Sequence, residues 1–246
     1  MIDDYKSDTS PAFSGRVSFY AIYDGHGGSY VSTNCAKYVH KMVLEHPAFP
    51  YDPQLAYLDA FRHVDKVVTA PEDKSGSTAL CCAIYETTLY VGNIGDSECV
   101  LGSREAAKGR FRSTLMSKKH NPTDPDEKQR VSDMGGSILF GRLFGTLAVS
   151  RGFGDMLYKN PGKEYVSVEP HVCVRSLDRT CHFLILGCDG LWDTVSYDLA
   201  VKTVGEVFDR GEGPEVAAKA LCDLTLSRGS LDNVSVIVVY FRWSKK

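Results

Sequence analysis

Two stretches of this chain are apolar almost without a break, and each ends on Asp-Gly. Val17-Ser18-Phe19-Tyr20-Ala21-Ile22-Tyr23 runs into Asp24-Gly25, and His182-Phe183-Leu184-Ile185-Leu186-Gly187-Cys188 runs into Asp189-Gly190. β-Branched and aromatic residues in runs of this length form strands. Strands that are apolar at successive positions are covered on both faces. The fold therefore needs layers on either side of its sheets. Thr78 to Tyr85 and Thr88 to Ile94 read as a hairpin, Cys99 to Leu101 continues it, and Val234 to Phe241 is a closing strand. Helical periodicity marks residues 30–46, where Ser29 is placed to cap, and 53–68, 123–134, 196–208 and 214–226. Helices in pairs between groups of antiparallel strands indicate an α+β class rather than a βαβ repeat. Residues 102–113 and 135–170 hold most of the irregular sequence, with a small flap expected around 135–165. No internal repeat or low-complexity linker divides the chain, so a single domain of 246 residues is expected.

The aspartates at strand ends carry the chemistry. Asp24 and Asp189 follow apolar strands, Asp96 ends the hairpin in Gly95-Asp96-Ser97, and Asp232 precedes the last strand. Each alone is an ordinary turn residue. Together at one sheet edge they would repel unless cations neutralised them. Hard oxygen donors suit Mg²⁺ or Mn²⁺ better than Zn²⁺. His26, two residues beyond Asp24, can bind metal, donate a proton, or be a plain loop residue. The other histidines show no ligand spacing.

Composition excludes several classes. With 28 basic against 31 acidic residues, the chain lacks the basic excess of a nucleic-acid binder. No apolar run reaches the roughly 18–20 residues of a membrane span. Met1-Ile2-Asp3-Asp4-Tyr5 is not a signal-peptide start. None of the eight cysteines shows zinc spacing, and Cys81, Cys82, Cys99, Cys181 and Cys188, within or beside apolar runs, read as small buried hydrophobes in a reducing compartment. A cytoplasmic location is expected, and a nuclear one is compatible.

Several segments, in order, resemble the metal-dependent (type 2C) serine/threonine protein phosphatases. They are Tyr23-Asp24-Gly25-His26-Gly27-Gly28, Ser75-Gly76-Ser77-Thr78-Ala79, Asn93-Ile94-Gly95-Asp96-Ser97 and His120-Asn121-Pro122. Gly145-Thr146-Leu147-Ala148-Val149-Ser150-Arg151 with Gly154-Asp155, Cys188-Asp189-Gly190-Leu191-Trp192-Asp193 and Asp232-Asn233-Val234-Ser235-Val236 complete the series. The resemblance implies a four-layer α-β-β-α sandwich of two antiparallel sheets, with a metal centre at one edge. It implies that Asp24 bridges two Mg²⁺ or Mn²⁺ ions, that Gly25 offers its carbonyl, and that Asp189 and Asp232 complete one shell. Asp96, with Asp189, matches a weaker third site. His26 matches the proposed general acid. Two such ions, about 3.5–4 Å apart, activate a bridging water for attack on phosphorus. The implied substrate is a phosphoprotein, and no oligomeric state is implied.

The chain departs from that pattern in two places. The family carries an upstream Arg that grips phosphate and an acidic segment near the metals. Here only Asp3 matches part of that segment, which reads as a shortened N-terminal edge. Arg16, Arg142 and Arg151 are candidate substitutes for the grip. Glu98 stands where the family commonly has Arg, which puts extra negative charge near Asp96. The missing Arg and acidic segment motivate an alternative, a pseudophosphatase that keeps the fold as a partner-binding module. A metal phosphoesterase acting on small molecules or nucleic acid is a third, weaker reading.

Overall fold

The computed structural model describes residues 2–5, 16–70, 72–105, 109–160 and 162–243. In chain order the principal strands are β1 (Ile2–Tyr5), β2 (Val17–Ile22), β3 (Ala79–Tyr85), β4 (Thr88–Ile94), β5 (Glu98–Ser103), β6 (Arg112–Leu115), β7 (His171–Ser176), β8 (Cys181–Gly187) and β9 (Val236–Tyr240). The helices are α1 (Tyr30–Leu44), α2 (Pro53–Val68), α3 (Pro125–Asp133), α4 (Asp189–Trp192), α5 (Tyr197–Asp209) and α6 (Pro214–Ser227). One antiparallel sheet has the order β1-β2-β3-β4-β7 and the other β9-β8-β5-β6. β1 pairs on the outer edge of β2. Of the segment 102–113, residues 106–108 lie outside the described residues.

The unbroken apolar strands follow from three stacked cores. Successive side chains of a strand point to opposite faces. In β3, Ala79, Cys81 and Ala83 pack with α1 and α2, while Leu80 and Cys82 pack between the sheets. In β8, Leu184 and Leu186 join that central layer, while Phe183 and Ile185 pack with Val201, Val204 and Leu221 of α5 and α6. The central strands of each sheet are thus covered on both faces, and the architecture is the expected α-β-β-α sandwich. Among the described residues, no helix is long and apolar enough to cross a membrane.

Side-chain caps set the starts of α2 and α3 locally, whereas α1, α4, α5 and α6 have none. Asp52 accepts from Leu55 N at 3.0 Å with Pro53 opening α2, and Asp124 accepts from Asp126 N and Glu127 N with Pro125 opening α3. Ser29 makes no side-chain cap on α1. Its role passes to Ser75 Oγ, which accepts from Val31 N at 3.2 Å and ties that helix to the edge where the site lies.

Strand register brings the candidate residues to that edge. Ile22 pairs with Leu80 and Ile94 with Ala79. Gly187 pairs with both Glu98 and Val236. Residues 24, 96, 189 and 232 each lie just beyond these pairs. Over the edge, residues 135–165 form two short hairpins, Ile138–Leu139 with Arg142–Leu143 and Lys159–Asn160 with Lys163–Glu164. Val131, Leu143, Tyr165 and Val166 give this segment a small core of its own.

Candidate metal centre

Asp24, Gly25, His26, Asp96, Asp189 and Asp232 line one cleft of about 440 Å³. The floor comes from both sheets. Asp24 follows β2, and its backbone is fixed by Thr78, whose N donates to Asp24 O at 2.9 Å and whose Oγ1 accepts from Asp24 N at 3.2 Å. Thr78 Oγ1 also lies 3.0 Å from Ser97 Oγ, which couples this turn to the one bearing Asp96. Asp189 opens α4 directly after β8. Asp232 reaches it because residue 190 is glycine: a Cβ there would lie 2.2 Å from Asn233 O. Cys188 tightens the same junction, its Sγ donating to Asn233 O and accepting from Ser235 N, both at 3.3 Å.

Ligand-type atoms of Asp24, Cys188 and Asp189 all lie within 4.8 Å of one another. Burial pushes the Asp24 carboxyl up to about 6, and Asp189 and Asp232 add to the shift. Burial, then the charge of Asp189, pushes Asp96 up to about 7, against the opposing charge of Lys119. Asp96 is buried, Asp24 and Asp189 are half-buried and Asp232 is exposed, and carboxylates gathered in one cleft with so little local counter-charge are a site that cations complete. The donors are hard oxygens, which fit Mg²⁺ or Mn²⁺. The Cys188 thiol is pushed up by burial and is already spent on the 233–235 segment, so it serves as a bracket.

His26 stands on the wall. Its Nε2 lies 2.8 and 2.9 Å from the two carboxylate oxygens of Asp155, which is only 3% exposed. The contact depends on a three-stranded ladder in which Gly25–His26 pairs with Gly76–Ser77, and Gly76–Ser77 with Phe153–Gly154. A Cβ on Gly76 would lie 2.3 Å from both His26 Nε2 and Asp155 Oδ2. Asp155 itself takes a left-handed backbone conformation, φ 55°. Its turn is tied to α2, since Gly154 N and Lys159 Nζ both donate to Asp65 Oδ1 at 2.8 Å. Burial works against protonation of His26, but the hydrogen bond and charge of Asp155, with Asp96 and Asp24, outweigh it and raise the imidazole.

A family description, protein phosphatase 2C, matches residues 4–234. The chain belongs to the protein phosphatase 2C family. It is 40% identical over 234 residues to protein spalten of Dictyostelium discoideum, covering 93% of this chain and 24% of that protein. It is 34% identical over 252 residues to probable protein phosphatase 2C 7 of Oryza sativa subsp. japonica, covering 100% of this chain and 63% of that one. The chain thus spans less than two thirds of either relative. Among solved structures, the serine-threonine phosphatase 2C of Toxoplasma gondii superposes with a TM-score of 0.81 at 23% identity, covering 96% of this chain and 88% of that one, a likeness of fold. A sex-determining protein of C. elegans superposes at 0.77 and 27% identity, covering 94% and 58%.

Within this phosphatase 2C domain, not every candidate residue reaches the cleft. Arg142 lines it from the flap hairpin, with Nη1 donating to Thr146 O at 2.9 Å. Arg151, read from sequence as a substrate grip, is committed elsewhere. Its Nε donates to Glu127 Oε1 at 2.9 Å and its Nη1 to Glu169 O at 2.6 Å. A guanidinium bound on both edges in this way belongs to the wall of the fold. Glu98 also turns away from Asp96, accepting from Tyr197 OH at 2.6 Å. The side chain of Asp3 lies outside the described residues. In sequence Asp155 carries no assigned role, and its only local signal is an acidic residue after a glycine.

Proposed function

We propose that this chain hydrolyses phosphoserine and phosphothreonine in proteins, using Mg²⁺ or Mn²⁺ held by Asp24, Asp189 and Asp232, with a further ion at Asp96 and Asp189. The observation that carries this reading is the convergence of four strand-end aspartates on one cleft, two with raised pKa values, beside the His26–Asp155 pair. Bound divalent ions supply an activated water and neutralise phosphoryl charge. The chain's own residues do the rest. Asp155 fixes the imidazole through Nε2, so a protonated His26 carries its second proton on Nδ1. When the P–O ester bond breaks, that proton goes to the departing serine or threonine oxygen. The raised pKa of His26 favours the protonated form this role requires.

The same reading extends to compartment. All eight cysteines are free, which suits a reducing interior such as the cytoplasm.

The test is phosphate release from a phosphothreonine peptide with Mn²⁺, with and without EDTA. Turnover that depends on Mn²⁺ and stops with EDTA supports the reading. No release at saturating Mn²⁺ sinks it.

A further inference from the structure

The cleft has a charge problem that its floor does not solve. Its lining carries the carboxylates of Asp24, Asp96, Asp155, Asp189 and Asp232, but only Lys74, Arg142 and His26 as cationic side chains. Metal ions at the floor neutralise the aspartates there. A phosphate ester that enters still presents outward oxygens, and these need donors on the wall. His26 is engaged by Asp155, and Arg142 spends Nη1 on its own hairpin. Lys74 is exposed, and among the described residues it makes no ion pair or hydrogen bond through its ammonium.

The acids next to Lys74 do not absorb its charge. Asp73 accepts from Ser75 N at 2.8 Å and from Ser75 Oγ. Asp155 is turned to His26. The backbone at Lys74 is meanwhile pinned. Ser75 O accepts from Asp155 N at 3.1 Å, and Ser75 Oγ accepts from Val31 N. On its other side, the Lys74 carbonyl packs against the His26 loop so closely that a Cβ on Gly27 would lie 3.3 Å from it. Lys74 is thus a point charge on a flexible stem whose root is rigid and sits beside the proton-donating wall.

We infer that Lys74 is a phosphate-binding residue of this cleft, gripping the outward oxygens of the substrate phosphoryl group from the wall that bears His26. The inference rests on the phosphatase reading. It supplies the cation that sequence reasoning sought among arginines.

The test uses the whole chain, loaded with Mn²⁺, as wild type, Lys74→Met, Lys74→Gln and Lys74→Arg. KM and kcat are measured on a phosphothreonine peptide with neutral flanks, on one with acidic flanks, and on p-nitrophenyl phosphate. Inorganic phosphate binding is measured by calorimetry. Lys74→Met and Lys74→Gln raise KM about five- to tenfold on all three substrates and weaken phosphate by a similar factor, as loss of one partly solvated charge-assisted contact should. Lys74→Arg recovers most of the loss, and kcat changes less than about twofold. Unchanged KM and phosphate affinity overturn the inference. A loss confined to the acidic-flank peptide also overturns it, because Lys74 would then read peptide rather than phosphate. If wild type releases no phosphate, the phosphatase reading fails, and the phosphate titration still decides Lys74.

Discussion

Two groups of buried acids lie in this domain, and their surroundings set them apart. Glu127, at the start of α3, is 1% exposed on its side chain and sits between two arginines. Burial alone would raise its pKa, but the hydrogen bond and charge of Arg151, then the charge of Arg130, carry it down to about 2. Those arginines go on to hold the flap, Arg130 Nη2 donating to Ser150 O and Tyr165 O at 2.8 and 3.1 Å. Asp96 is also buried and Asp24 half-buried, yet their pKa values go up to about 7 and 6. The difference lies in the supply of counter-charge. The fold completes Glu127 with its own side chains, whereas the aspartate floor is left for ions from solution. A buried carboxylate is therefore evidence of a site only when the fold withholds its partner.

The largest expected effect comes from removing a floor ligand. Asp24→Asn should cut Mn²⁺-dependent turnover by more than about a hundredfold, since even partners of a metal ligand typically cost ten- to a hundredfold. It should leave the apo domain as stable as wild type or more so, because it deletes a strained charge. Turnover within tenfold of wild type would erase the contrast with Glu127.

Glu127→Gln should do the opposite. Removing one member of a buried ion pair strands the others, costing about 3 kcal/mol and lowering Tm by roughly 6–12 °C. Turnover per folded molecule should stay, and the Mn²⁺ requirement should not move. A thermal melt beside an activity assay checks both points. A large loss of turnover without loss of Tm would mean that Glu127 belongs to the site.

A pH series sharpens the comparison further. The folded pKa values of Asp24 and Asp96 lie above their ordinary value of 3.8. Well below pH 3.8 both carboxyls are protonated in folded and unfolded chains, and their contribution to stability is fully present. As pH climbs through 6 and 7, the folded chain must carry charges that the unfolded chain holds at no cost, and that contribution is lost. The metal-free Tm should therefore fall between about pH 4 and 7.5, and the Tm gain from added Mn²⁺ should grow over the same window. A gain from Mn²⁺ that is flat with pH would contradict the raised values.

How much of this the sequence reveals depends on what holds each residue. Asp24 and Asp189 were legible because long apolar strands deliver them, and the alternation that buries Leu184 and Ile185 on opposite faces is local. Asp155 was not, because its contact with His26 runs over Gly76, through two-residue ladders between segments far apart in the chain. Arg151 is a candidate grip from sequence alone because its partner, Glu127, looks like an ordinary first-turn acid until the flap buries it. β7 was missed because its side chains are intermediate or exposed throughout, with Val174 49% exposed at a sheet edge, so its apolar signal is weak.

The smallest effect is expected at Glu98, the departure that sequence alone places against Asp96. It is 2% exposed, and burial raises its pKa against the lowering effect of Tyr197. Its carboxylate accepts the Tyr197 hydroxyl at 2.6 Å, and its backbone oxygen accepts Trp192 Nε1 at 3.1 Å. It therefore stitches β5 to α4 and α5 and does not line the cleft. Glu98→Gln keeps an acceptor for Tyr197 and removes a buried charge, so stability should change by no more than about 1 kcal/mol. The Mn²⁺ concentration for half-maximal turnover should stay within twofold. A rise of threefold or more would mean that the Glu98 charge reaches the aspartate floor through the β5 strand end, and the two acid groups would no longer be separate.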